Sequence, residues 1–350
     1  MSNESHIRQL TVENLTVFRS RHEFNFASGL NVFVGENGTG KTHILKAVYA
    51  ALAVLSRYTP DRELSGALTN KLFGVFKPDE IGGLVSRTSN CQRCALGYNF
   101  TDGRSLEISF SKSDVNRVDV SSNMRPVHEM PKIPLPVFLP TRELLSIFPG
   151  FVSLYDNRHL PFEETWRDCC SLLDEPLIRE PSGFTVNELL LPLEKAMGGK
   201  IEQDKTGRFY LRKSNNGRLE IHLVAEGLRK LGMLAKLIAS GVIQPGAALF
   251  WDEPEANLNP KLAKAVGKLL FQFAQMGVQI FVATHSLFLL KELDILQKTK
   301  GGLETECCYF GLHSCKSGVV VKQDSTSDGI GDIAALDEDL EQSNRYMRLD

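Results

Sequence analysis

Residues 7–26 alternate apolar and polar positions as short strands do, and the apolar run Leu30-Asn31-Val32-Phe33-Val34 predicts a further strand. A glycine-rich stretch from Gly35 to Thr42 separates that run from a helical pattern through Ala47, Val48, Ala51 and Leu55. Period two returns over residues 82–120. Turn signals at Thr101-Asp102-Gly103 and Lys112-Ser113-Asp114 then predict an antiparallel sheet. A basic, proline-containing stretch, residues 123–136, leads into a strand at Val137-Phe138-Leu139.

From residue 144 to residue 223 the pattern becomes irregular, with helices predicted over 162–173 and 186–197 and a hairpin-like pair at 207–211 and 218–223. This stretch reads as an inserted lobe. Beyond it, Leu228, Leu231, Leu234, Ala235 and Ile238 mark one face of a helix that stops at Gly241. A strand over 247–251 follows. Asn259 is then a good N-cap and Pro260 fits the first helical position, with Leu262, Val266, Leu269 and Phe273 as the apolar face and Gly277 as the stop. A strand over 279–284 completes a βαβ unit. The tail from Asp324 is acidic and is expected to be loosely held. The chain thus reads as an α/β protein in three parts: an N-terminal lobe at 1–143, an inserted helical and hairpin lobe at 144–223, and a C-terminal lobe at 224–350.

Three short stretches carry chemistry. Gly35-Glu36-Asn37-Gly38-Thr39-Gly40-Lys41-Thr42, between strand and helix, fits a phosphate-binding loop. Its glycines let backbone N–H groups turn toward phosphate, Lys41 offers a cation to the β/γ oxygens, and Thr42 offers a hydroxyl to Mg²⁺. Asp252 and Glu253 end an apolar strand, one carboxylate for a metal ion and a second to orient or deprotonate water. Standing alone, that pair is also what an ordinary acidic turn looks like. His285 closes the strand about thirty residues later, at the sheet edge where ligands of α/β proteins bind. An isolated histidine there is usually only a polar loop residue.

The order of phosphate loop, interrupting lobe, glycine-containing helix, Asp252-Glu253-Pro254-Glu255, Leu258-Asn259-Pro260 and Thr284-His285-Ser286 resembles the ABC-type ATPase heads of the SMC, RecF and OLD group. Within that group it is similar in particular to compact AAA-family proteins linked to phage defence. The resemblance implies a P-loop head with a mixed central sheet, ATP and Mg²⁺ as cofactors, and hydrolysis of ATP to ADP and phosphate. It implies Asp252 and Thr42 at the metal, Glu253 as catalytic base, Asn259 in the D-loop and His285 as the switch histidine. Thr141-Arg142-Glu143 falls where such heads have their Q-loop, and Arg19 or Phe18 near the first strands falls where they touch phosphate or adenine. Two departures stand out. Ala225-Glu226-Gly227 replaces the usual signature serine with alanine, which predicts altered or slow hydrolysis, with Arg229 or Lys230 as electrostatic substitutes. Residues 144–223 are too few and too broken for a long coiled coil.

Composition narrows the reading only slightly. A formal charge of −2 gives no global pull toward nucleic acid or anionic membrane, and no run of about eighteen apolar residues occurs. A cytoplasmic protein without membrane contact is expected. The seven cysteines, two adjacent pairs among them, make a poor disulfide framework. Cys91 and Cys94 have the spacing of half a zinc site, yet they lie in a strand-turn-strand pattern with no flanking heptads. The resemblance then implies an ATP-gated homodimer, or a higher homo-oligomer, that regulates a separate nuclease or toxin. The competing expectation is a RecF-like clamp that binds DNA directly through Arg87, Arg93, Arg104, Lys112, Arg117, Arg125 and Lys132 on the first lobe and Lys205, Arg208, Arg212, Lys213 and Arg218 on the second. A transporter subunit fits poorly, because such subunits carry a well-formed signature.

Overall fold

Alternation over the first residues produces β1 (Ile7–Glu13) and its antiparallel partner β2 (His22–Asn25) in this computed structural model. The structure describes residues 5–59, 63–88, 92–123, 133, 135–158, 160–178, 184–213, 217–299 and 305–348. The next run forms β3 (Leu30–Gly35), buried at every position, followed by α1 (Lys41–Leu55) and α2 (Leu64–Phe76). β4 (Arg93–Phe100), β5 (Ser105–Ser111) and β6 (Asp119–Ser122) extend the first two strands into an antiparallel sheet ordered β2-β1-β4-β5-β6. The expected sheet begins later than its period suggests, because residues 81–84 form a short helical turn.

β7 (Val137–Leu139) precedes the inserted stretch, which contains α3 (Phe148–Arg158), kinked at Pro149 and Gly150, then α4 (Glu164–Leu173) and α5 (Phe184–Met197). The expected two-strand hairpin is a three-stranded sheet, since β8 (Gly199–Gln203) joins β9 (Phe209–Lys213) and β10 (Arg218–Glu220). α6 (Glu226–Ala239), β11 (Ala248–Asp252), α7 (Pro260–Gln275) and β12 (Gln279–Thr284) follow. Asn259 caps α7 through Oδ1, which accepts the Leu262 N–H at 3.0 Å. α8 (Leu287–Lys298), β13 (Cys307–Cys315) and β14 (Gly318–Asp324) complete the core, and α9 (Ala334–Met347) closes the chain. The acidic tail contains α9, whose described side chains are exposed. Leu, Ala, Glu and Gln in that stretch are good helix formers despite the negative charge.

The central sheet runs β14-β13-β3-β12-β11-β7, parallel except for β14. Side chains of β3 alternate between two cores: Leu30, Val32 and Val34 face α6 and α7, while Phe33 faces α1 and the antiparallel sheet. On that second side Phe138, Phe250 and Phe281 sit in register on β7, β11 and β12 and stack at 6.2 and 4.7 Å between centroids. Phe33 and Phe310 stack likewise at 4.7 Å. Such in-register aromatic pairs are worth about 0.5–1.5 kcal/mol each beyond burial. No helix among the described residues is long and apolar enough to cross a membrane.

The six described cysteines, Cys94, Cys169, Cys170, Cys307, Cys308 and Cys315, are free thiols. Cys94 lies buried in β4; Cys91, like Arg125 and Lys132, lies outside the described residues.

Candidate functional site

The carboxyl ends of β3, β11 and β12 lie side by side and each runs into one of the three chemical stretches. After β3 the chain turns at Gly38 and Gly40, whose φ angles of 81° and 91° are ones that L side chains rarely adopt. Gly35 and Gly40 are also sterically required. A Cβ on Gly35 would lie 2.6 Å from the Leu312 carbonyl oxygen, and one on Gly40 would lie 2.7 Å from both Val17 and Phe18. Phe18 is thus a fully buried wall behind the loop and not a ligand contact. Thr39 ties the loop to itself, its Oγ1 donating to the Glu36 carbonyl at 2.8 Å, while Glu36, Asn37 and Gly38 form the accessible tip.

Lys41 Nζ folds back onto the carbonyls of Gly35 and Glu36 at 2.7 and 2.8 Å. Burial lowers its pKa, against the opposing fields of Asp252, Glu253, Glu255 and Glu36. The ammonium therefore sits in the mouth of the loop, surrounded by oxygens that an anion would outcompete. Thr42 Oγ1 meets both carboxylate oxygens of Asp252, at 3.1 and 3.0 Å. Burial raises the Asp252 carboxyl to about 6, partly offset by Thr42. A hydroxyl and a half-desolvated carboxylate at one point are the hard oxygen donors that Mg²⁺ takes.

Glu253 has φ 48°, a left-handed conformation uncommon outside glycine. Three hydrogen bonds hold it there: its N–H donates to the Ala283 carbonyl at 2.9 Å, and its carbonyl accepts the Ala256 N–H at 3.1 Å and Lys230 Nζ at 2.6 Å. Its carboxylate reaches His285 across the gap between β11 and β12, with Nδ1 3.1 Å from Oε1. A carboxylate only accepts, so a proton on Nδ1 would make this approach attractive.

The other residues singled out in the sequence divide into two groups. Thr141 and Arg142 line a cavity of about 330 Å³ together with Thr42, Asp252 and Glu163. Glu143 does not join them. It is buried and turned away, accepting the N–H and Oγ of Ser146 at 3.1 and 2.6 Å and pairing with Arg229 Nε at 2.8 Å. Arg19 lines a second cavity, about 470 Å³, beside Gly38, and also donates to the Lys316 carbonyl at 3.2 Å.

Ala225 and Glu226 stand at the N-terminus of α6, with Ala225 exposed. Gly227 packs on the turn between β11 and α7, where a Cβ would fall 2.4 Å from the Asn257 carbonyl oxygen. Contrary to expectation, neither Arg229 nor Lys230 stands in for the missing serine. Arg229 is held by Glu143, and Lys230 is 1% exposed, spent on the carbonyls of Glu253 and Ala256. Sequence reasoning also missed Glu255, whose Oε1 lies 2.5 Å from Thr284 Oγ1. The available signal was a third carboxylate within four residues of an apolar strand.

Residues 140–291 match the family described as "AAA domain, putative AbiEii toxin, Type IV TA system", and residues 9–124 match one described as an AAA domain. Shorter stretches are similar to DNA replication and repair protein RecF. Identity is 39% over 62 residues with the protein of Exiguobacterium sp., covering 17% of this chain and 16% of that protein. It is 36% over 92 residues with the protein of Streptococcus suis, covering 26% and 23%. The chain therefore matches less than a quarter of the length of these relatives. Among solved structures, an SMC head crystallised bound to the C-winged helix domain of ScpA aligns with a TM-score of 0.59 at 15% identity, covering 92% of this chain and 98% of that one. The SMC head domain from Thermotoga maritima aligns at 0.50 and 15%, covering 90% and 98%. An Smc head with an extended coiled coil, bound to the C-terminal domain of ScpA from Pyrococcus furiosus, aligns at 0.56 and 13%, covering 98% and 99%. The chain shares its fold with these SMC heads.

Proposed function

We propose that this SMC- and RecF-like head of the ABC ATPase fold binds and hydrolyses Mg-ATP, closes with a second copy around the nucleotide, and so regulates a separate nuclease or toxin in anti-phage defence. The observation that carries the reading is the pairing of Thr42 with Asp252 and of Glu253 with His285 along one edge of three adjacent parallel strands.

In this reading the N–H groups of residues 35–42 hold the phosphates, and Lys41 exchanges its two carbonyl partners for β/γ oxygens. Thr42 and Asp252 would hold the magnesium ion, which when bound neutralises charge on those oxygens. Glu253 takes the proton of the attacking water, and His285 Nδ1 keeps the carboxylate aimed while leaving Nε2 for a phosphate oxygen. The cavity beside Gly38 takes the base, with Arg19 on its wall. Gly227 packs on its own D-loop turn, and in this reading the γ-phosphate that Ala225, Glu226 and Gly227 meet belongs to a second copy. A phosphate contacted from both sides binds the closed pair more tightly than the open one, which is a population shift driven by nucleotide.

The AbiEii-type family match supports the effector reading, and SMC heads crystallised with a bound ScpA domain support docking of a separate protein on such a head. The RecF similarity favours a second reading, direct binding of DNA. Against it, several of the basic side chains it would use are already paired: Arg93 with Asp119, Arg104 with Asp102, Arg117 with Glu63 and Arg212 with Glu202.

The deciding experiment uses Glu253→Gln with ATP. Light scattering after gel filtration should show a doubled mass, and capture from native cells should recover a stoichiometric effector that leaves when ATP is removed. An unchanged mass counts against closure; recovery of DNA alone transfers the case to the RecF-like reading.

A further inference from the structure

Three carboxylates stand at the end of β11 and in the turn after it, and the mechanism above uses two. The third, Glu255, accepts a hydrogen bond at Oε1 from Thr284 Oγ1, 2.5 Å away. Thr284 is the last residue of β12 and is fully buried. Its hydroxyl oxygen also accepts the Ser286 N–H at 3.0 Å. A hydroxyl has one proton and two lone pairs, so giving the proton to Glu255 turns a lone pair toward Ser286. Ser286 in turn caps α8, its Oγ accepting the Leu289 N–H at 3.2 Å. His285 therefore lies between two residues whose placement runs through Glu255.

We propose that Glu255 is a positioning residue: acting through Thr284 and the Ser286 N–H, it fixes the imidazole of His285 against Glu253 before nucleotide arrives. The two carboxylates of one turn thus grip the β12–α8 junction at adjacent residues, Glu255 at Thr284 and Glu253 at His285. Glu255 is kept at a cost. Its Oε2 is buried and has no hydrogen-bond partner among the described residues, an arrangement that stability alone disfavours. The inference rests on the reading above for the roles of His285 and Glu253, but the geometry it claims is independent of turnover.

The test uses full-length protein with ¹⁵N-labelled histidine, the His285 signal being assigned by its absence in His285→Gln. Without nucleotide, wild type and Glu255→Gln, whose amide oxygen still accepts the Thr284 proton, should show His285 protonated at Nδ1. Glu255→Ala and Thr284→Val should return it toward the tautomer mixture of a free side chain. In turnover, the latter two should lower kcat by about 10- to 100-fold with the KM for ATP within about twofold, as expected when a catalytic group is displaced but nucleotide binding is intact. Glu255→Gln should recover most of the rate, and Glu255→Ala should add nothing in a His285→Gln background. An unchanged His285 tautomer in both Glu255→Ala and Thr284→Val overturns the proposal, as does an equal drop in kcat with His285 already removed. If wild type hydrolyses no ATP, the hydrolysis reading fails while the imidazole signals still decide this one. If Glu255→Ala does not fold, Thr284→Val, close in shape to the native residue, carries both readouts.

Discussion

Replacing Lys230 with methionine separates the cost of burying its charge from the value of the hydrogen bonds it makes. The ammonium is 1% exposed and donates to the carbonyls of Glu253 and Ala256 at 2.6 and 3.4 Å. Burial lowers its pKa from 10.5 to about 8. At pH 7 the unfolded chain holds the proton more tightly than the fold does, and the gap corresponds to about 3 kcal/mol of stability withheld. Lys230→Met recovers that amount but loses a charged hydrogen bond worth about 1.5–3 kcal/mol. The two nearly cancel, so at pH 7 the variant should be within about 1 kcal/mol of wild type. Between pH 8 and 10.5 the unfolded lysine keeps a proton that the folded one has released, so wild-type stability rises with pH there. Relative to the variant it should gain about 2 kcal/mol between about pH 7 and pH 10. Urea denaturation of both proteins at the two pH values reads the difference directly, because other titrating groups are common to both. Parallel stabilities would refute the buried-charge account. Hydrolysis should fall in the variant even at neutral pH, since the left-handed Glu253 loses one of its three tethers.

Five further outcomes follow from contacts in the structure. Lys41→Ala should abolish ATP binding, and Thr42→Val should weaken the dependence of binding on Mg²⁺, both read by nucleotide titration with and without the metal. Gly227→Ala, with its Cβ 2.4 Å from the Asn257 oxygen, should cost about 1–3 kcal/mol in chemical denaturation and should lower turnover by shifting the D-loop. Lys71→Met removes the lysine that contacts Glu164 and Asp168 at 2.8 and 2.5 Å but leaves Asp168 with Tyr49 and Arg167, and should cost about 1–3 kcal/mol in chemical denaturation. The carboxyl of Asp204, held at about 2 by hydrogen bonds from Thr206, Arg208 and Tyr210, helps the β8–β9 turn above the usual carboxylate range and loses that help as pH falls through 2; a carboxyl NMR titration locates the midpoint.

Elements with local signals were legible before the structure. α7 has Asn259 and Pro260 at its start and Gly277 after its end, and α6 has an unbroken apolar face, so neighbouring residues alone define them. β13 was not legible, because Gly311, His313 and Ser314 interrupt the alternation and the strand is made by its pairing with β3. α2 was hidden by Gly66 and Gly74, the latter a close-packing position against Glu164. The same division runs through the site. Loop, carboxylates and histidine are contiguous motifs and could be read off the chain. The inward turn of Lys230, the withdrawal of Glu143 onto Arg229 and the link from Glu255 to Thr284 join segments far apart in sequence, and no local pattern encodes them.

Residues 144–223 are contiguous in sequence, but their anchors are not. Lys46 and Tyr49 on α1 reach Glu163 at 2.5 Å and Asp168 at 2.6 Å, and Lys71 on α2 reaches Glu164 and Asp168. An engineer transplanting residues 144–223 into another head would leave three carboxylates facing strange helices. The transplant must carry positions 46, 49 and 71 with it, and any natural exchange of this stretch between relatives would have faced the same requirement.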